Sequence, residues 1–130
     1  MFKLIVLIRK RPELSRQEFI DYYDNRHVPL VHSLLPKGAA VHRRNFVVTD
    51  AAQGERSADA AGADESWDVI SEVFYEDLGT AQAAARAMQD PAIRRRIEED
   101  EERFIMRGSM RRFVVEVHET VFRPVSGKGV

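Results

Sequence analysis

The chain has 130 residues, of which 44% are hydrophobic and 32% charged, with a formal net charge of −1. This suits one ordinary globular domain with a single core, and the charge argues against a dedicated nucleic-acid binder, whose grip on phosphate backbones needs excess positive charge. There is no cysteine, which removes disulfides, thiolate metal sites and a cysteine nucleophile from consideration.

Phe2 to Ile8 is a nearly continuous apolar run, the pattern of a strand buried on both faces. It is too short for a membrane span and has no signal-peptide cleavage pattern, so a cytoplasmic protein without a membrane partner is expected. After a polar turn containing Pro12, Ser15 and Glu18 stand three residues apart as a capping box opening the first helix. Phe19, Tyr23, Leu30 and Leu34 mark its buried face, and Pro29 predicts that the helix ends or bends just after His27. Pro29 to Leu35 adds a short turn closed by Pro36-Lys37-Gly38.

Ala39 to Val48 reads as the second strand. Asp50 to Ser66, rich in Ala, Asp, Gly and Ser without apolar periodicity, reads as a flexible loop that can be shortened without loss of fold. Trp67 to Tyr75 is the third strand. Asp77 caps a helix through Met88 with Leu78, Ala81, Ala85 and Met88 on its inner side. Asp90-Pro91 starts the last helix with a cap and a first-turn proline, and its inner stripe is Ile93, Ile97 and Phe104. Arg111 to Val121 is the fourth strand, and 124–130 is a loose tail or an arm toward a partner subunit.

The order strand, helix, strand, strand, helices, strand predicts an α+β fold, a split βαβ ferredoxin-like sandwich with a four-stranded antiparallel sheet, as one domain over 1–123. Helices on one face leave the other sheet face in need of cover. Val and Phe occur at both parities of the first, third and fourth strands, so a homodimer through the sheet faces is expected, the alternative being a monomer with a partly polar outer sheet.

His27 is the most informative residue, because it puts a titratable group on the flank of an apolar helical stripe beside a proline. An imidazole there could transfer protons, or it could be a core histidine satisfied by a carbonyl or a water. On the last helix, taking about 100° per residue from Ile93, Asp100 falls near −20° and inside the apolar stripe, whereas Glu98 and Glu99 fall outside it. His27 and Asp100 are therefore the candidate catalytic pair. The alternative for Asp100 is a partnership with Arg26, Arg103 or Arg107.

Candidates for substrate binding are Tyr23 and His42, together with Asp68 and Glu72, which share one parity of the third strand with Ile70 and Phe74. Whether that parity faces the cleft or a dimer interior is open, and Glu72 has a competing reading as the ion-pair partner of Arg43, Arg44 or Arg112. His32 and His118 read as surface or interface residues. Arg94, Arg95 and Arg96 are offset by the acidic run 98–102 and read as a solvated helix face. No metal-ligand signature, glycine-rich phosphate loop or GxSxG elbow is present, so no metal site is expected.

The opening strand, the stretch from Leu14 to Tyr23 and His27-Val28-Pro29-Leu30 resemble the EthD family of dimeric α+β barrels. The resemblance continues through Trp67–Tyr75, Asp90-Pro91 and Asp100 to Phe104. It implies a ferredoxin-like unit pairing through its sheets, with a ligand cleft between sheet and helices and no need for a cofactor, metal or organic. Relatives include small lactone isomerases of aromatic degradation and cyclases or dehydratases of aromatic polyketide synthesis. The expectation is a lyase- or isomerase-type enzyme moving a proton on a small aromatic or polyketide-like substrate. The alternatives are a non-catalytic small-ligand carrier or accessory protein of an oxygenase system, and a cofactor-free monooxygenase. In the lactone isomerases the resemblance implicates a histidine at the His27 position and a tyrosine early in the second strand. Here that second position falls near His42, so the isomerase reaction itself does not carry over.

Overall fold

The apolar N-terminal run becomes an interior strand of the sheet. The computed structural model describes residues 2–35, 38–48 and 66–124, so nearly all of the expected 50–66 loop, and the tail beyond Pro124, lie outside the described residues. Strands β1 (Phe2–Ile8), β2 (Val41–Phe46), β3 (Val69–Tyr75) and β4 (Arg111–Glu116) form one sheet in the order β2-β3-β1-β4. Every neighbouring pair is antiparallel, and the topology is the α+β ferredoxin-like sandwich.

Register divides the sheet residues between two faces. Phe2, Leu4, Val6 and Ile8 share the inner face with His42, Arg44, Val69, Ser71, Val73, Arg112 and Val114. Lys3, Ile5, Leu7, Arg43, Glu72, Phe74 and Phe113 point the other way. The helices pack on the inner face, where Val6, Ile8 and Val69 join Phe19, Tyr23, Phe104 and Ile105 in the core.

Helix α1 (Arg16–Tyr22) begins at the expected capping box. The Glu18 N–H donates to Ser15 Oγ at 3.1 Å, and the Ser15 N–H donates to Glu18 Oε1 at 2.9 Å. Of the two outcomes expected from Pro29, the helix does not end near His27. It widens into a π-helical turn over Tyr23–His27, where the Val28 N–H reaches back to the Tyr23 carbonyl, and continues as α2 (Val28–Leu34). Pro29 then falls in the first turn of α2, where its missing N–H costs little. The extra residue in the wide turn lets both Tyr23 and His27 point inward.

Helices α3 (Leu78–Ala87) and α4 (Pro91–Glu101) start at their expected caps, Asp77 and Asp90. Strand β4 stops at Glu116 and not at Val121, because its partner β1 runs out at Phe2, the residue facing Glu116. No helix among the described residues is long and apolar enough to cross a membrane.

Candidate active site

His27 is 5% exposed and held from two sides. Its ring lies against Phe104, with centroids 4.9 Å apart, and its Nδ1 is 2.8 Å from Asp100 Oδ2. A carboxylate can only accept, so Nδ1–H is the donor, and in the neutral ring Nε2 is the nitrogen that carries the lone pair. Asp100 Oδ1 accepts from the Tyr22 hydroxyl at 2.6 Å. Asp100 is thereby fixed at both oxygens, and it sits behind the imidazole as seen from the cavity that His27 lines.

That cavity, of about 490 Å³, lies between the inner sheet face and the helices, a size that suits a small organic ligand. Leu4, Val6, Val28, Val31 and Val73 are among its walls, and the inner side of α3 contributes Leu78, Ala81, Ala85 and Met88. The expected α3 stripe therefore faces a cavity in place of closed core.

Tyr23 stands beside His27, rings 5.8 Å apart. Its hydroxyl is 2.7 Å from Ser71 Oγ and 3.4 Å from His42 Nε2, the latter too long for more than a weak bond. Burial pushes the Tyr23 phenol up to about 12, against the opposing pull of the Ser71 hydrogen bond. It is consequently a neutral hydrogen-bond donor at ordinary pH. Burial pushes His42 down to about 4, with Arg44, His27 and His32 adding to the effect, so His42 is neutral as well. The site brings the Nε2 side of His27, a protonated phenol and the neutral His42 imidazole to one apolar cavity.

The sequence matches the EthD domain over residues 11–108, well over half of its length. The chain belongs to the EthD family. Among solved structures it is similar to an ethyl tert-butyl ether D (EthD) family protein from Bacillus halodurans C-125, at 21% identity and a TM-score of 0.60, covering 91% of this chain and 99% of that one. It is also similar to an EthD-like protein from Ralstonia eutropha JMP134, at 18% identity and a TM-score of 0.58, covering 94% and 95% respectively. At such identities the likeness carries the fold alone. No curated protein matches the sequence.

In this EthD-family chain, His27, Tyr23 and His42 line the cavity and Asp100 backs His27. Asp68 and Glu72 are not brought there. Glu72 lies on the opposite sheet face, bonded to Lys3 and Asn45 with Arg43 4.0 Å away, and Lys3 holds its carboxyl below the ordinary range. Asp68 accepts from the Lys10 backbone N–H at 2.8 Å, and its own N–H donates to the Ile8 carbonyl at 2.9 Å, which ties the segment before β3 to the end of β1. The reason is parity: Ser71, the residue bonded to Tyr23, lies on the inner side, which sends Ile70 and Glu72 outward. His32, read as a surface or interface residue, also lines the cavity, while His118 is exposed and bonded to Glu116.

Sequence reasoning passed over Ser71, Tyr22 and Glu101. Ser71 is a lone hydroxyl among β-branched neighbours on β3, a usable signal. Glu101, 5% exposed, stands near 80° on the last helix, on the opposite flank of the apolar stripe from Asp100, and so reaches the cavity.

Two expected results follow from these contacts. Tyr23→Phe leaves the fully buried Ser71 hydroxyl without its partner and should cost about 1–3 kcal/mol in urea denaturation. Adding Ser71→Ala should recover part of the loss, and strict additivity of the two would contradict the pairing. His42 gives the second. Its folded value of about 4 lies below the ordinary 6.5, so the unfolded chain binds more protons between those pH values. Stability should then be fully present above pH 6.5 and fall as the pH drops toward about 4. His42→Gln should flatten that slope, and an unchanged slope would assign it elsewhere.

Proposed function

We propose that this EthD-family protein is a cofactor-independent enzyme of the lyase or isomerase type, acting on a small aromatic or polyketide-like substrate. It transfers a proton at a carbon next to a carbonyl, in a cyclisation, dehydration or isomerisation. His27 Nε2 takes the proton, and Asp100 orients the ring through Nδ1 and supports the imidazolium that forms. The Tyr23 phenol and the neutral His42 imidazole donate to the developing enolate oxygen. The observation that carries this reading is the His27–Asp100 bond at 2.8 Å with His27 lining an apolar cavity. A core histidine would be satisfied without a cavity beside it.

The test is enzyme-dependent exchange of the acidic C–H of aryl β-diketones and β-keto esters with deuterium, followed by NMR. Exchange above the buffer rate is expected for at least one compound of cavity size. Tight binding without exchange across such a panel would favour the carrier or accessory reading, which needs the same cavity but not the dyad.

The protein functions, on this reading, as a homodimer joined through the outer sheet faces. Val41, Ile70 and Phe113 are large apolar residues exposed on that face, beside the Lys3–Glu72–Arg43 ionic cluster, a mixture suited to a specific interface more than to water. Phe113→Glu should turn a dimer into a monomer in sedimentation velocity while the circular dichroism stays unchanged. A wild-type monomer at micromolar concentration would end the dimer proposal.

A further inference from the structure

The cavity has a second polar region, at the β4 edge of the sheet. Three arginines, Arg94, Arg107 and Arg112, line it against two glutamates, Glu98 and Glu101. Most of these charges are mutually satisfied. Arg107 donates to Glu101 at 3.1 Å and to Glu102 at 3.3 Å, and lies 3.1 Å from Glu98, while Arg94 is 3.5 Å from Glu98. Arg94 and Arg112 are held less, each with one contact at 3.5 Å and no side-chain hydrogen bond among the described residues, although a guanidinium carries five donors. Of the two, Arg112 stands on the inner face of the sheet, on β4 beside Val6.

Glu101 needs Arg112 only in part, because Arg107 already holds its other oxygen. Arg112 can therefore turn to a ligand without leaving a buried carboxylate unpaired, which would otherwise be a severe cost. Register sets the reach. Arg112 faces Val6, and Val6 faces Ser71, the residue bonded to Tyr23. Strands are spaced about 4.8 Å apart, so the Arg112 and Ser71 backbones are separated by roughly 10 Å. The cavity between them, of about 490 Å³, has room for a fused two-ring system carrying one anionic substituent.

We propose that the cavity is specific for apolar ring acids, with the carboxylate paired to Arg112 and the ring system lying over Leu4 and Val6 so that the reacting carbon faces His27. Arg112 is then the specificity-determining residue of the site. A planar guanidinium fork pairs a carboxylate through two parallel hydrogen bonds, which selects for that group over a neutral isostere. The proposal rests on the reading of the His27 cavity as the substrate site.

The test compares 2-naphthoate with its neutral isostere 2-naphthamide by isothermal titration against the full chain. Wild type should bind the acid about tenfold or more tightly than the amide. In Arg112→Gln the preference should fall to about unity through weaker binding of the acid, the amide being unaffected. Arg112→Lys, which keeps the charge but not the fork, should fall between and serves if the glutamine variant does not fold. Equal binding of both probes to wild type would overturn the anion preference and leave the cavity reading intact. Failure of both to bind would overturn the cavity reading itself. A preference surviving in both variants would overturn the assignment to Arg112.

Discussion

His27→Gln should lower turnover by about 10²- to 10⁴-fold, the usual contribution of a positioned general acid or base, while the folded protein still takes up its ligand. Glutamine is the informative replacement. Its amide can donate to Asp100 as Nδ1 does now, so the half-buried carboxylate keeps that partner, but it has no basic nitrogen to offer the cavity. His27→Ala should lose turnover too, with a stability loss of about 1–3 kcal/mol from the orphaned Asp100 contact. Asp100→Asn should give a smaller kinetic loss than His27→Gln, because its effect is exerted through the orientation of the imidazole. Assays would follow carbon-acid exchange or turnover of a compound that wild type processes, with ligand binding measured alongside. Turnover near wild type in His27→Gln would remove His27 from the chemistry and leave the cavity to the carrier reading.

Phe104→Ala should be the most destabilising single change in the fold, at about 3–5 kcal/mol. Phe104 is fully buried, and its ring centroid lies 5.8 Å from Phe19, 5.0 Å from Tyr22, 5.3 Å from Tyr23 and 4.9 Å from His27. Its removal opens a cavity where the continuous helix of α1 and the π turn meets the end of α4, two backbone segments that cannot both close over the gap. Because the same ring backs His27, the variant should also loosen the site, so residual activity should fall even at temperatures where it stays folded. Phe104→Leu, which keeps most of the volume, should cost considerably less. A loss below about 1 kcal/mol for Phe104→Ala in urea denaturation would mean that this junction repacks and is not rigid.

The readable parts of the site were those set by helical periodicity. His27 and Asp100 each fall on or beside an apolar stripe, and a stripe must face the sheet, so their common inward direction could be inferred from residues a few positions away. The Asp68 and Glu72 assignment failed to reach the cavity for the complementary reason. Alternation in a strand separates two faces but does not say which is inner, and that was decided by Ser71 pairing with Tyr23 on a different element. Pro29 marks the break after His27 but leaves open whether the helix ends or bends there; a π turn absorbs one extra residue and carries the helix past it.

The sequence by itself determined the order of elements, the caps at Ser15, Asp77 and Asp90, the α+β class and the inward direction of His27, because each depends on spacing within about one or two turns of chain. Family membership followed from the same residues taken together. Only the tertiary structure decided that Asp100 divides its oxygens between His27 and Tyr22, that Glu101 is buried between Arg107 and Arg112, and that α3 lines a cavity. Those contacts join residues far apart in the chain or flanking the same stripe within a few tens of degrees. Their outcome rests on strand register and on the rotation of one helix against another, which no local pattern encodes.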